Sequence, residues 1–527
     1  MTASRKNLVL AAMVFAVAMT FIDQTIVAIA IPSLQRNLGI STTGSQWIVN
    51  GYLLALASLF AFGGKLGDML GRRRMVVVGV AGFAIASACC GFTPKGSDAE
   101  AWIVGFRVLQ GATAALMFPA AVGIVADVFP QGERGREMAV FFGISGGLTA
   151  IGPIAGGYLT QWTWRSIFWI NVPVALFALL LIWRSKLEEK THSTRLDYRG
   201  AALITGGMGL TILGLQQSSV WGWSSVATWA CIAAGVVLTC LFIAYERRAI
   251  DPLLRLDIFR SRAFALDNLV LGLMSIAFVP FFFFASVYAQ VSLHESATHA
   301  GLYLLYFFLG YVLASQVGGR ILDRRGARPA LVFGSAIGAV GFSLLAGKLT
   351  DLSLGQQAIY IALAGAGVGL MLTPASTDAV NRAPRASYGE VTGITQTARN
   401  LGASLGLAIL GTILVSRNAT NISSALVKSG VSAQEAHRVA ASFGFGQALS
   451  VHGQSGSLVH GIQLAFAHST QSVFYVMAGV MAATFLVAIR GYPRGRAQEA
   501  PAVRAERAAL EGGPEHLGAQ LIGERLR

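Results

Sequence analysis

Gly64-Lys65-Leu66-Gly67-Asp68-Met69-Leu70-Gly71-Arg72-Arg73-Arg74 returns later in the chain as Gly319-Arg320-Ile321-Leu322-Asp323-Arg324-Arg325-Gly326-Ala327-Arg328. The two align without a gap from Gly64 on Gly319 to Gly71 on Gly326, with Asp68 on Asp323. Each lies between two long apolar runs. Two positive loops can match by chance, but here the glycines and the aspartate agree as well as the basic residues. A basic Gly/Asp loop repeated between paired apolar helices implies two equivalent halves. Repeated halves in a membrane are the build of a carrier that rocks one half against the other.

Composition agrees. Of the 527 residues, 54% are hydrophobic and 12% charged, with a mean hydropathy of +0.60; a soluble chain carries about a quarter charged residues. The net charge of +15 falls in short clusters between apolar runs. No continuous basic face results, which argues against nucleic acid as a partner. Cys89, Cys90, Cys231 and Cys240 all lie within apolar runs, at spacings that suit neither a metal site nor a disulfide framework. Residues 3–22 have the look of a cleavable signal, but the apolar run continues past Asp23 to Ile31, so it is read as a retained first helix.

A helix needs about 20 apolar residues to cross a bilayer. Fourteen candidates satisfy this, at 8–31, 46–63, 75–92, 101–126, 137–159, 166–183, 200–216, 226–245, 264–290, 300–318, 330–347, 357–374, 390–415 and 469–489. With the N-terminus inside, 31 of the 40 Lys and Arg residues face the cytoplasm and seven face out; Arg107 and Arg399 lie within spans. That asymmetry sets the orientation. The repeat follows spans 2 and 10, so two extra helices separate two six-helix halves. The expected fold is an all-α integral membrane protein: an N-terminal six-helix bundle over 1–185, two inserted helices and linkers over 186–262, and a C-terminal six-helix bundle over 263–490. An outer loop is expected at 416–468 and a cytoplasmic tail at 491–527. The histidines of the outer loop (His437, His452, His460, His468) are scattered and read as solvated, not as a metal site.

Four motifs carry a resemblance to a known family. They are Phe21-Ile22-Asp23-Gln24-Thr25-Ile26-Val27 through Ile31-Pro32; the loop Gly64 to Arg74; Arg107-Val108-Leu109-Gln110-Gly111; and Gly143 followed by Gly152-Pro153-Ile154-Ala155-Gly156-Gly157. Trp164 to Pro173 adds a fifth stretch of the same type. In this order, and on these spans, the chain resembles the major facilitator superfamily, and within it the fourteen-span branch of drug:proton antiporters, over roughly residues 8–490. The resemblance implies export by alternating access, with protons as coupling ion and no other cofactor.

Each site has a physical reading. An ionisable residue in hydrocarbon is costly, so it is a functional hypothesis. Asp23 lies roughly 12 Å and Arg107 roughly 9 Å from the outer ends of their spans, at 1.5 Å per residue. An acid that gains and loses Arg107, or a donor such as Gln110, switches its proton affinity with conformation; the alternative is a static pair joining spans 1 and 4. Gly64 and Gly67 let helices approach closely. Asp68 can face the N-terminus of a helix from the other half or pair with Arg72, and Asp323 with Arg324 can do the same in the other half. The alternative there is a loop that only sets topology. Gly143, Gly152, Pro153, Gly156 and Gly157 strip bulk from span 5, and the proline breaks its hydrogen-bond ladder, which suits a gate as well as plain helix packing.

Asn50, Tyr52, Gln110, Phe281, Tyr306, Gln396 and Arg399 are candidate walls of a substrate cavity. So, more loosely, are Phe278, Tyr288 and Tyr303. Around Arg399 the sequence reads Thr395-Gln396-Thr397-Ala398-Arg399-Asn400, with no acid, where some relatives of this branch carry one. Asp267, Asp378 and Glu390 are placed at inner helix ends, leaving Asp23 as the one acid deep in the membrane. This counts against a two-proton mechanism and against divalent cations as substrates. The favoured function is proton-driven export of hydrophobic or amphipathic small molecules by a monomer in a bacterial-type plasma membrane, with both termini cytoplasmic. A facilitator or proton symporter for uptake is the alternative, disfavoured by the Gly143–Gly157 series. An enzyme is a third class, and no metal motif, nucleophile with a base, or nucleotide loop supports it.

Overall fold

The computed structural model describes residues 3–149, 151–188, 197–249, 252–295, 297–382, 388–442 and 456–495. Among them the regular structure is helical, with no strand. The first half contains α1 (Ala3–Leu38), α2 (Thr42–Leu70), α3 (Arg72–Gly91), α4 (Ala99–Val128), α5 (Gln131–Leu148), α6 (Ile151–Trp162), α7 (Ser166–Trp169) and α8 (Asn171–Ser185). Next come α9 (Tyr198–Trp221) and α10 (Val226–Glu246). The second half contains α11 (Arg262–Val291), α12 (Ala297–Arg325), α13 (Ala327–Lys348), α14 (Leu354–Asn381), α15 (Tyr388–Lys428), α16 (Ala433–Ser442) and α17 (Gly456–Gly491).

Twelve helical segments among the described residues are long and apolar enough to cross a membrane. The other two expected spans fall short for separate reasons. Span 5 is divided into α5 and α6, and α9 ends in the polar run Gln216-Gln217-Ser218-Ser219. The segment 416–468, expected as loop, holds much helix: α15 runs on to Lys428, α16 follows, and α17 begins at Gly456. His452, and the tail beyond 495, lie outside the described residues.

The repeat is visible in the packing. Gly71 and Gly326 end α2 and α12 at positive φ, 101° and 83°, which a side chain would oppose. The register that puts Gly64 on Gly319 also puts Tyr52 on Phe307 and Gly63 on Gly318. Gly111 of α4 lies so close to α2 that a Cβ would stand 2.3 Å from the Tyr52 carbonyl oxygen. In the second half, Gly365 of α14 has the Phe307 carbonyl oxygen at 2.0 Å from the same point. Gly63 meets Ala115 of α4 as Gly318 meets Leu370 of α14. Each half thus rests on one glycine-mediated crossing, α2 with α4 and α12 with α14. The apolar core of the second half runs through α11 to α17. That of the first half extends across to Phe264, Ala379, Tyr388 and Ile394 of the second. The inserted α9 packs on both α2 and α15 and so lies over the seam between the halves, with α10 outside it.

Replacing Gly111 or Gly365 with Ala pushes a methyl into a backbone carbonyl and is expected to destabilise by about 1–3 kcal/mol. Gly105→Ala, which meets nothing within 4 Å, serves as the neutral control in thermal unfolding of the detergent-solubilised protein.

Candidate functional site

Asp23 and Arg107 are 0% and 1% exposed, joined side chain to side chain between α1 and α4. The helical i,i+3 spacing puts Gln110 on the same face as Arg107. Arg107 Nη1 donates to Asp23 Oδ2 and also, at 2.7 Å, to Gln110 Oε1, while Gln110 Nε2 donates to Asp23 Oδ1 at 3.0 Å. Arg107 Nε donates to the Ile48 carbonyl at 2.8 Å, and the guanidinium lies 4.3 Å from the centre of the Tyr52 ring. Both carboxylate oxygens are therefore held by neutral or cationic donors inside the bundle.

At the end of the bundle that carries the basic loops, the halves meet through two equivalent contacts. Asp68 Oδ1 and Oδ2 accept from the backbone N–H of Gly389 and Glu390, at 3.1 and 2.8 Å, in the first turn of α15. Asp323 Oδ1 and Oδ2 accept from Gly135 and Arg136, at 2.9 and 3.0 Å, near the start of α5. A carboxylate at a helix N-terminus gains from both the free N–H groups and the helix dipole. Arg72 also donates to Asp68, at 2.7 and 2.9 Å, and reaches Asp127 of α4. Gly64 allows this approach, since a Cβ would stand 2.1 Å from the Gly389 carbonyl oxygen; Gly319 faces Gly135 in the same way at 2.3 Å. Gly67 has ordinary contact with Ala120 of its own half, so it plays no part in this close approach. Arg324 is exposed.

Residues 13–407 match the family model of the major facilitator superfamily. The chain belongs to the major facilitator superfamily. It is 36% identical over 411 residues to a tetracenomycin C resistance and export protein of Streptomyces glaucescens, covering 77% of this chain and 76% of that one. It is 34% identical over 403 residues to a puromycin resistance protein of Streptomyces alboniger, covering 74% and 78%. Among solved structures, the proton:xylose symporter XylE superposes with a TM-score of 0.62 at 13% identity, over 95% of this chain and 98% of that one. The human organic anion transporter MFSD10 gives 0.58 at 16%, over 92% and 99%. These last two likenesses show the fold. The superfamily consists of membrane transporters of small molecules, and this member is a transporter, not an enzyme.

In this transporter, span 5 comprises α5, ending at Leu148, and α6, beginning at Ile151, with Thr149 still in helical conformation. Pro153 has no N–H to give to the carbonyl of Thr149, four residues back. That carbonyl instead accepts from Thr25 Oγ1 of α1 at 2.8 Å. Gly152 makes room, for its Cβ would stand 1.9 Å from the same Thr25 oxygen. Gly143 faces Gln316 and Ser315 of α12, whereas the carbonyls of Gly156 and Gly157 both accept from Thr160.

The expected cavity residues scatter. Tyr52 lies under Arg107, with its hydroxyl donating to the Thr20 carbonyl, and Gln110 belongs to the Asp23 cluster. Phe281 is enclosed by the rings of Phe307, Phe342 and Phe474. Tyr288 and Tyr303 both bond Gln357. Asn50 is half-buried and Tyr306 exposed. Gln396 and Arg399 bond each other.

The acids placed at inner helix ends are buried far more than their position suggests. Asp267 and Asp378 are 0% and Glu390 2% exposed. Tyr492, arriving from the end of α17, brings its hydroxyl to Asp267 Oδ1 and Asp378 Oδ2, both at 2.5 Å, and Arg382 donates to Asp378 at 2.7 Å. Glu390 accepts from the backbone of Arg255. Asp23 is thus one of several fully buried carboxylates. The Asp378–Arg382 spacing was open to view in the sequence; Asp267 and Tyr492 are brought in from distant helices.

Asp68→Asn and Asp323→Asn each remove a charge from one of the two equivalent contacts. Each is expected to shift the halves apart at the basic end without unfolding either. Spin-label distances between α2 and α15, and between α5 and α12, check this; unchanged distances in both variants count against a closing role.

Proposed function

We propose that the protein is a proton-coupled antiporter that exports hydrophobic or amphipathic small molecules, antibiotics among them, by alternating access. The observation that carries proton coupling is Asp23, wholly buried, with its two oxygens held by Arg107 and Gln110. Protonation from the outer side releases Arg107, which then needs another partner. Return of Arg107 to Asp23 expels the proton on the other side. Export is supported by relatives whose names describe resistance and export, and by the Gly143–Gly157 series of span 5. The Asp68 and Asp323 contacts close the cytoplasmic end in this reading. The transporter works as a monomer in a bacterial-type plasma membrane, with both termini cytoplasmic and no organic cofactor.

Proteoliposomes with an imposed pH gradient test this directly, with ethidium and puromycin as probes. Wild type is expected to move both probes against their gradients only while the pH gradient lasts. Asp23→Asn is expected to lose that accumulation down to the level of empty liposomes, while still inserting and eluting as a folded monomer. Undiminished accumulation by the variant overturns Asp23 as proton carrier.

A further inference from the structure

The two halves treat a buried arginine in opposite ways. Arg107 meets a carboxylate, an amide oxygen and a backbone carbonyl. Arg399 of α15 is 8% exposed, and its Nη1 donates to Gln396 Oε1 at 2.6 Å. Its Nε is buried with no hydrogen-bond partner. Among the described residues no carboxylate forms an ion pair with it; of the buried acids, Asp23 is held by Arg107, Asp68 by Arg72 and Asp378 by Arg382, Glu390 lies within 4.0 Å of Lys65, and Asp267 bonds Tyr492.

The position is fixed from both sides. One and a half turns before Arg399, Gly393 presses on Phe60 and Ala61 of α2; nearly one turn after it, Gly402 presses on Gly272 of α11. The helix therefore cannot slide to bring the guanidinium to solvent. α15 packs on α2 and α4 of the first half as well as on α11 and α17 of its own, so Arg399 stands on a helix that joins the halves. Tyr311 belongs to α12. The Tyr311 hydroxyl donates to the Phe142 carbonyl of α5, and its ring stacks on Phe278 with centroids 5.9 Å apart.

A buried cation without a counter-charge is a liability to the fold, and an apolar residue of similar volume is commonly the more stable choice. A guanidinium kept in such a place fits a partner that comes and goes. Its planar fork matches the oxygens of a carboxylate or phenolate. We propose that Arg399 is the anion-binding group of the substrate site, and that the protein's preferred substrates are organic acids carrying one carboxylate or phenolate. This rests on the export reading for its setting, though the binding itself can be measured without transport.

The test uses the purified full chain in detergent, with anthraquinone-2-carboxylate and anthraquinone-2-carboxamide as matched probes in equilibrium binding. A charge-assisted pair predicts that wild type binds the carboxylate about tenfold tighter or better. Arg399→Gln is expected to bind both alike, at the carboxamide's level, and Arg399→Lys to keep part of the preference. Equal binding of the two probes by wild type, or a preference that survives in Arg399→Gln, overturns the proposal. The ligand-free protein gives an independent reading: Arg399→Met is expected to melt at or above the wild-type temperature, whereas Arg107→Met melts lower. If Arg399→Met melts clearly lower, the guanidinium is a structural group and the proposal falls. Failure of the tightly bound carboxylate to be carried by a pH gradient would count against proton exchange and leave the anion site standing.

Discussion

A carboxylate set against the amide end of a helix from the opposite half is the contact on which this architecture turns, and the chain makes it twice. Asp68 holds the start of α15 and Asp323 the start of α5. The N-terminal amides of a helix have no partners within it, so Asp68 satisfies two that would otherwise need water, while Asp323, on the second turn of α5, lies at the positive end of that helix. Glycine against glycine lets the backbones come close enough, Gly64 on Gly389 and Gly319 on Gly135. These contacts are polar, few and at one end. They stand beside the apolar contact that Phe264, Ala379, Tyr388 and Ile394 make with the first half's core, and they are local enough to be undone together.

The symmetry of backbone and packing contrasts with the asymmetry of charge. The α2–α4 and α12–α14 crossings are built alike around Gly111 and Gly365. Yet the first half encloses a complete acid–arginine–glutamine set, and the second an arginine and glutamine without the acid. The second half keeps its buried acids at the basic end instead, around Tyr492. One scaffold used twice has thus been given two different electrostatic interiors, which is how a repeated fold assigns different tasks to its copies.

Much of this was open to a reading of the chain. The repeat fixed the equivalence of Asp68 and Asp323, and the physics of helix ends offered a helix start in the other half as one of two partners, beside an arginine of the same loop. The cost of charge in hydrocarbon singled out Asp23 and Arg107, and their separation along the spans placed them at one depth. The reading failed where position along a span was taken for exposure. Asp267 and Asp378 lie near span ends, but Tyr492, 225 residues from Asp267, closes over them. Aromatic residues were also hard to place, because a period of 3.6 residues cannot tell a ring facing its own bundle, like Phe281, from one facing a central space. Gly67 misled for a similar reason: the motif contains it, but the helix turns it toward Ala120.

Span 5 has divided loyalties. Its first part, α5, packs chiefly on α12 of the opposite half, while its second, α6, packs chiefly on α1 of its own. Thr25 of α1 bonds the Thr149 carbonyl, which Pro153 leaves without an N–H, and Gly152 lies against the same threonine. A span shared in this way answers to both halves: movement of α12 pulls on its first part, while its second part stays seated on α1.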